Sequence, residues 1–121
     1  MARVMIVDDS PTDILQLSKI LTNAGHSVVE ASDGAEALER VPLEMPECIV
    51  MDVVMPKVNG FQATRKLSKD PKTADIPIIV VSSKNQQTDR LWAMRQGARA
   101  YVTKPVEAAE FLAKVKDVLE K

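Results

Sequence analysis

Short apolar runs alternate with longer amphipathic stretches along the chain, and this alternation restricts the fold more than any other feature. The apolar runs lie at 4–7, 27–31, 48–51, 77–81 and 100–102. Repeated alternation of strands with helices is typical of α/β proteins that have a parallel sheet with helices on both faces. The runs are continuously apolar, as expected for strands covered on both faces. The sequence therefore predicts an α/β fold with five buried strands.

The amphipathic stretches carry helix start and stop signals. Ser10 followed by Pro11 predicts a helix start, and Gly25 predicts its end. Asp33 and Glu36 have the spacing of a capping box, which predicts a short helix that ends near residue 41. Three further helices are expected over the ranges 60–68, 88–96 and 107–119.

Composition and charge exclude several classes of protein. The chain has 121 residues, which is enough for one domain, and a formal net charge of −1 at pH 7. A general surface for nucleic acids or anionic membranes would need a strong basic excess. The single cysteine, Cys48, cannot form an intramolecular disulfide, and no apolar stretch is long enough to span a bilayer. We therefore expect one domain over residues 1–121 without an output domain, cytoplasmic and monomeric, that neither binds nucleic acid nor inserts into a membrane.

Polar side chains follow four of the predicted strands. Asp8 and Asp9 come after the first strand, Asp52 after the third, Ser82 after the fourth and Lys104 after the fifth. Parallel strands end at one edge of a sheet, and ligands bind in the crevice at that edge where the winding direction reverses. If the first and third strands are neighbours, three carboxylates meet there.

Carboxylates that lie close together repel one another unless a proton or a cation neutralises them. A hard divalent cation is the natural partner, and Mg²⁺ favours a few carboxylates together with water and phosphate oxygens. A carboxylate can also act as a nucleophile and form an aspartyl phosphate. Lys104 can serve such a reaction as a point charge, and Ser82 can donate a hydrogen bond to a phosphoryl oxygen. The sequence therefore indicates phosphoryl transfer onto an aspartate.

The order and spacing of four motifs carry a resemblance to a known family. The motifs are Met-Ile-Val-Asp-Asp at 5–9, Met-Asp-Val-Val-Met-Pro at 51–56 with Gly60, Pro-Ile-Ile-Val-Val-Ser at 77–82, and Tyr-Val-Thr-Lys-Pro at 101–105. Over essentially its whole length the chain resembles the receiver domain of bacterial two-component response regulators. This resemblance implies a flavodoxin-like sheet with strand order 2-1-3-4-5.

The resemblance also implies roles for individual residues. Asp52 is expected to accept a phosphoryl group from a histidine kinase or phosphotransfer protein. Mg²⁺, for which Mn²⁺ can substitute, is expected to bind Asp9 and Asp52 directly, Asp8 largely through water, and the main-chain carbonyl of Val54. These four residues are the expected metal site.

The remaining implied residues belong to the switch. Ser82 is the expected switch hydroxyl, Lys104 the phosphate-binding lysine, and Tyr101 the aromatic that moves inward when the hydroxyl is recruited. The Lys104–Pro105 bond is expected to be cis. Signalling is expected to use protein contacts through the fourth helix, fifth strand and last helix, and similarity to chemotaxis and twitching-motility receivers suggests such a pathway.

Other functions fit the residues less well. A Mg²⁺-dependent phosphohydrolase with an aspartyl nucleophile commonly carries an acid–base aspartate two residues after the nucleophile, but Val54 stands there and cannot transfer protons. A flavin electron carrier would need a phosphate-binding loop rich in Ser, Thr and Gly after the first strand, and no such loop follows Val7. A degenerate receiver would lack some of the acids, the hydroxyl or the lysine, but this sequence has the complete set. A phosphate sink, which drains a kinase without a target of its own, stays open as an alternative to an output switch.

Overall fold

The computed structural model describes residues 1–53 and 59–120. Its strands are β1 (Arg3–Val7), β2 (Ser27–Ala31), β3 (Cys48–Met51), β4 (Ile78–Ser82) and β5 (Ala100–Thr103). Its helices are α1 (Pro11–Asn23), α2 (Gly34–Glu44), α3 (Gly60–Lys69), α4 (Gln87–Arg95) and α5 (Ala108–Leu119). Strands and helices alternate strictly, as the sequence pattern predicts.

The five strands form one parallel sheet in the order β2-β1-β3-β4-β5. The predicted fold class and strand order are confirmed. From β1 the chain first passes to β2 on one side, and β3, β4 and β5 then follow on the other side. The winding direction therefore reverses between β1 and β3, and the loops after these two strands lie side by side at the carboxyl edge.

Helices cover both faces of the sheet and bury its apolar side chains. On one face Val4, Ile6 and Val50 pack in a cluster with Leu21 of α1 and Phe111 of α5. On the other face α2 and α3 cover β1 and β3, with Val41 and Leu67 among the buried contacts. Burial on both faces explains why β1, β3 and β4 are apolar without strict alternation, whereas the edge strand β2 carries exposed Ser27 and Glu30.

Two helix starts match the sequence signals, but the capping box does not form. The side chains of Ser10 and Asp33 accept hydrogen bonds from the third residue of α1 and α2, respectively. Glu36 instead accepts hydrogen bonds from both the backbone N–H and the hydroxyl of Ser32, at 2.8 and 2.9 Å. Its carboxylate therefore binds the residue before the cap.

Helix α2 also runs three residues further than predicted, through Pro42 to Glu44. Pro42 removes one backbone donor, but the N–H of Met45 still bonds to the Val41 carbonyl at 2.8 Å, which closes the last turn. The helix ends where Met45 adopts a left-handed conformation with φ of 44°. The predicted boundary near residue 41 is therefore wrong.

Strands β2 and β3 have the predicted bounds, and the other boundaries differ by no more than two residues. Strand β4 extends from Ile78 to Ser82. It begins after Pro77 because that residue has no N–H to donate and contributes only its carbonyl, which accepts a hydrogen bond from the Ile49 N–H. Glu107 is the cap of α5 and not its first residue, since its carboxylate accepts from Ala109 and Glu110. Among the residues that the structure describes, no helix is long and apolar enough to cross a bilayer.

Cys48 is fully buried in β3, and burial raises the pKa of its thiol to about 12. We predict that a thiol reagent at about pH 8 leaves the folded protein unlabelled and labels one cysteine per chain after unfolding in guanidinium chloride. Mass spectrometry at increasing denaturant measures the labelled fraction, which should follow the loss of secondary structure. Labelling of the native protein as fast as that of a free thiol would contradict this burial.

Candidate phosphoryl-acceptor site

Three carboxylates meet at the carboxyl edge of the sheet. Asp8 follows β1, Asp9 comes next, and Asp52 follows the neighbouring strand β3; one oxygen atom from each lies within 4.8 Å of the others. Asp8 is 1% exposed and Asp52 is 8% exposed, whereas Asp9 lies open to solvent. The fold therefore brings the three predicted acids together, with Asp8 and Asp52 buried and Asp9 accessible to solvent.

Backbone hydrogen bonds hold the two buried acids in place. The N–H of Asp52 donates to the Val7 carbonyl at 2.9 Å, which ties the end of β3 to the end of β1. The Asp52 carboxylate accepts from the Val53 N–H at 2.8 Å, and the Asp8 carboxylate accepts from the Ser10 N–H at 2.9 Å. Both carboxylates are thus oriented by the backbone of their own loops.

Lys104 lies opposite these acids, directly after β5. Its N–H donates to the Ser82 carbonyl at 2.8 Å, which extends the pairing of β4 and β5 by one residue. Its Nζ atom lies 2.9 Å from Asp8, 2.8 Å from Asp13 and 3.8 Å from Asp52. The side chain is only 16% exposed, so the ammonium group points into the site.

The pKa of Lys104 reflects two opposing effects. Burial favours the neutral amine and lowers the pKa, while hydrogen bonds to Asp13 and Asp8 and the charge of Asp52 raise it. The net direction of the pKa shift is upward, so Lys104 stays a cation.

The Lys104–Pro105 peptide bond that follows is cis, as predicted.

The donor set of this site fits a hard divalent cation. Lys104 pairs with Asp8, Asp13 and Asp52, and Asp9 adds a fourth carboxylate to the cluster, so among the described residues the carboxylates at this site outnumber its paired ammonium. Clustered carboxylate oxygens are the ligands that Mg²⁺ accepts together with water. The predicted carbonyl ligand, Val54, lies outside the described residues.

Ser82 and Tyr101 are linked through the backbone of Lys84. The Ser82 hydroxyl is fully buried and accepts from the Lys84 N–H at 3.2 Å. The Tyr101 hydroxyl donates to the Lys84 carbonyl at 2.7 Å, and the ring is only 7% exposed. Burial is the largest cause of the raised pKa of Tyr101, which therefore remains a donor at neutral pH.

Arg90 of α4 covers the outer side of Tyr101. Its guanidinium carbon lies 5.2 Å from the centroid of the ring, within the range of a cation–π contact. The same side chain donates to the Thr103 hydroxyl at 2.9 Å. Tyr101 is therefore held inward by a hydrogen bond at its tip and by an arginine over its face.

Sequence patterns did not reveal the contacts of Asp13 or Arg90. Asp13 looks like an ordinary acid in the first turn of a helix, where negative charge is favourable. Arg90 looks like part of a solvated edge together with Arg95 and Arg99. Their partners, Lys104 and Tyr101, lie far along the chain or on another element, so no local signal reveals the contacts.

Comparison with known proteins agrees with this fold. The family model described as response regulator receiver domain matches residues 4–116. The chain belongs to this family. The receiver domain is 48% identical to Protein PilH of Pseudomonas aeruginosa over 119 residues, which cover 98% of each chain. It is 39% identical over 117 residues to a gliding motility regulatory protein of Myxococcus xanthus, covering 97% of this chain and 15% of that protein.

Solved structures give the same family resemblance. A putative response regulator from Chloroflexus aurantiacus superposes with a TM-score of 0.96 at 28% identity, over 99% of this receiver domain and 98% of that chain. The receiver domain spans half or less of several other curated relatives. It acts as a signalling switch in two-component systems, as its family does.

Because Gly60 has no side chain, the backbone at the start of α3 can pack directly against the backbone of Asp52. It begins α3, its N–H donates to the Val53 carbonyl at 3.1 Å, and an added Cβ would overlap the Asp52 carbonyl oxygen and lie 2.7 Å from the Val53 Cα. We predict that Gly60→Ala lowers the free energy of unfolding by about 1–3 kcal/mol, because backbone atoms must move to make room. Urea denaturation measures the change. An unaltered transition midpoint would show that the contact is looser than described.

Proposed function

We propose that this receiver domain is a switch in which Asp52 accepts a phosphoryl group from a histidine kinase or phosphotransfer protein. The observation that carries the proposal is the position of the Lys104 ammonium, 3.8 Å from Asp52, at a site where the oxygens of Asp8, Asp9 and Asp52 converge. A nucleophilic carboxylate, a point charge and a set of oxygen ligands are the parts that transfer onto an aspartate requires.

The reaction exchanges one bond to phosphorus for another. An oxygen of the Asp52 carboxylate attacks the phosphorus of a phosphohistidine, the phosphorus–nitrogen bond breaks, and the imidazole nitrogen leaves with the bonding electrons. Mg²⁺, held by Asp9, Asp52, the Val54 carbonyl and, through water, Asp8, would neutralise the charge on the phosphoryl oxygens, and Mn²⁺ has the same ligand preference. Lys104 would bind a phosphoryl oxygen from the other side.

The Ser82 hydroxyl is the proposed sensor of the new group. An aspartyl phosphate carries about −1.5 to −2 charges and strong acceptor oxygens. Donation from Ser82 to one of them would disturb the bond that its oxygen accepts from the Lys84 N–H. Because the Lys84 carbonyl also binds Tyr101, the movement would reach the aromatic ring and Arg90 above it.

The proposed output surface is the face formed by α4, β5 and α5. Met94 of α4 is a large apolar residue that is 46% exposed, and it lies beside Tyr101 of β5 and Lys114 of α5 on this face. Trp92, which is 49% exposed, packs edge-on against Phe61 of α3 with ring centroids 6.5 Å apart, so it adds an aromatic surface on the α3 side of the same helix. Exposed aromatic and apolar side chains of this kind are suited to a downstream protein.

The proposed setting is a motility pathway in the cytoplasm. A relative named as a gliding motility regulator supports the pathway. Histidine kinases draw their phosphoryl group from ATP, which places the reaction in the cytoplasm. Residues 1–121 would work as one monomeric receiver unit whose chemistry is limited to its own phosphorylation and dephosphorylation, since Val54 cannot supply the acid–base group of a phosphohydrolase.

Incubation with acetyl phosphate tests the acceptor role. We expect the intact mass of the wild-type protein to increase by one phosphoryl group when Mg²⁺ is present, and Asp52→Asn to stay unlabelled, because an amide cannot replace the nucleophilic carboxylate. Asp117→Asn, which removes the charge of an exposed acid on α5, is the matched control and should label like the wild type. Equal labelling of wild type and Asp52→Asn, or labelling that is the same with and without Mg²⁺, would refute the assignment of Asp52 as the acceptor.

Nuclear magnetic resonance tests the proposed output face. Beryllofluoride with Mg²⁺ mimics an aspartyl phosphate, and we expect it to shift backbone amides of α4, β5 and α5 more than those of α2. In Ser82→Ala these distant shifts should shrink by more than about half, because the hydroxyl that links the site to Lys84 is missing. Ser83→Ala, a change at the neighbouring exposed hydroxyl, is the control. Distant shifts of wild-type size in Ser82→Ala would remove Ser82 from the switch.

A further inference from the structure

Asp13 forms a contact with Lys104 that the proposed phosphoryl transfer does not use. Asp13 lies in the first turn of α1, where its N–H donates to the Ser10 hydroxyl at 3.3 Å. Its carboxylate accepts from the Lys104 ammonium at 2.8 Å, and its side chain is 34% exposed. Asp13 therefore holds the ammonium from the rim of the site, outside the cluster of Asp8, Asp9 and Asp52.

The Lys104 ammonium lies closer to Asp8 and Asp13 than to Asp52. Two of its three N–H donors are engaged at 2.8 and 2.9 Å by Asp13 and Asp8, whereas Asp52 lies 3.8 Å away, beyond hydrogen-bond distance. The ammonium thus leans toward α1 and β1. A phosphoryl group on Asp52 would compete with these two acids for the position of the ammonium.

We infer that Asp13 is a positioning residue that holds Lys104 on the α1 side of the site and thereby limits how readily the ammonium reaches a phosphoryl group. This inference rests on the proposed function. Asp8 is deeply buried and remains a partner of Lys104 at the metal cluster, but Asp13 is the contact at the rim that can be given up to solvent. Breaking it exposes a carboxylate that water can solvate, so Asp13 is the acid that Lys104 leaves first.

The kinetic consequence follows from competition for one cation. The more strongly Asp13 binds Lys104 before transfer, the less of that interaction is available to stabilise the incoming phosphoryl group. Replacing Asp13 by Asn keeps the shape of the side chain and removes its charge. We expect the rate constant for phosphorylation by acetyl phosphate to rise about three- to tenfold, as for the loss of one partly exposed ion pair in the ground state.

Three comparison variants separate this effect from a general change in charge. In a Lys104→Met background, Asp13→Asn should leave the rate unchanged, because the partner of Asp13 is already absent. Asp13→Glu, which restores a carboxylate, should return the rate toward the wild-type value. Glu39→Gln removes the charge of an exposed acid on α2 and should have no effect. A slower or unchanged rate in Asp13→Asn, or an equal rise in the Lys104→Met background, would overturn the inference.

A second measurement tests the contact without any phosphodonor. Urea unfolding of wild type, Asp13→Asn, Lys104→Met and the double variant forms a thermodynamic cycle. We expect the two changes to be non-additive by a factor of at least about two in the unfolding equilibrium constant, because the residues touch. If the wild-type protein took up no phosphoryl group, the proposed function would fail, while a non-additive cycle would still support Asp13 as the residue that positions Lys104. An additive cycle would overturn the inference whatever the labelling result.

Discussion

The site depends on one partly buried ammonium group, that of Lys104, placed among several carboxylates. Asp8 and Asp13 lie just after β1 and Asp52 just after β3, and their mutual repulsion would oppose the fold if no cation lay between them. Lys104 reaches all three within 4.0 Å. The lysine occupies this position because its own N–H continues the pairing between β4 and β5. The electrostatics of the site are therefore tied to the order of the strands in the sheet.

This arrangement also explains how a local change in charge could affect a distant surface. Ser82 and Lys104 are adjacent across the ends of β4 and β5, and Lys84 joins Ser82 to Tyr101 through its backbone N–H and carbonyl. A phosphoryl group that binds Ser82 and Lys104 would favour one of two arrangements of this loop. A near-complete reversal of such an equilibrium needs about 5.5 kcal/mol. Several charge-assisted hydrogen bonds can supply energy of this size.

Local sequence patterns were sufficient for the architecture because both periodicity and capping act over a few residues. Every strand and helix found in residues 1–53 and 59–120 was predicted, and so was the convergence of Asp8, Asp9, Asp52 and Lys104 at one edge, since parallel strands end together. The errors lie where tertiary contacts override local signals. Helix α2 continues through Pro42 because its last turn is closed by Met45, and Glu36 binds Ser32 in preference to completing a capping box. The pairing of Asp13 with Lys104 joins residues 91 positions apart, which no local pattern can report.

The most direct measurement is the identity of the residue that carries the phosphoryl group. Reduction of the phosphorylated protein with borohydride converts an aspartyl phosphate to homoserine, and tryptic digestion then gives a peptide of residues 41–57 in which Asp52 is the one aspartate. Fragmentation of that peptide should place the homoserine at position 52 in the sample treated with Mg²⁺ and acetyl phosphate, and nowhere in the untreated sample. Homoserine at Asp8, Asp9 or Asp13, with Asp52 unmodified, would contradict a site in which Lys104 and the clustered acids serve Asp52.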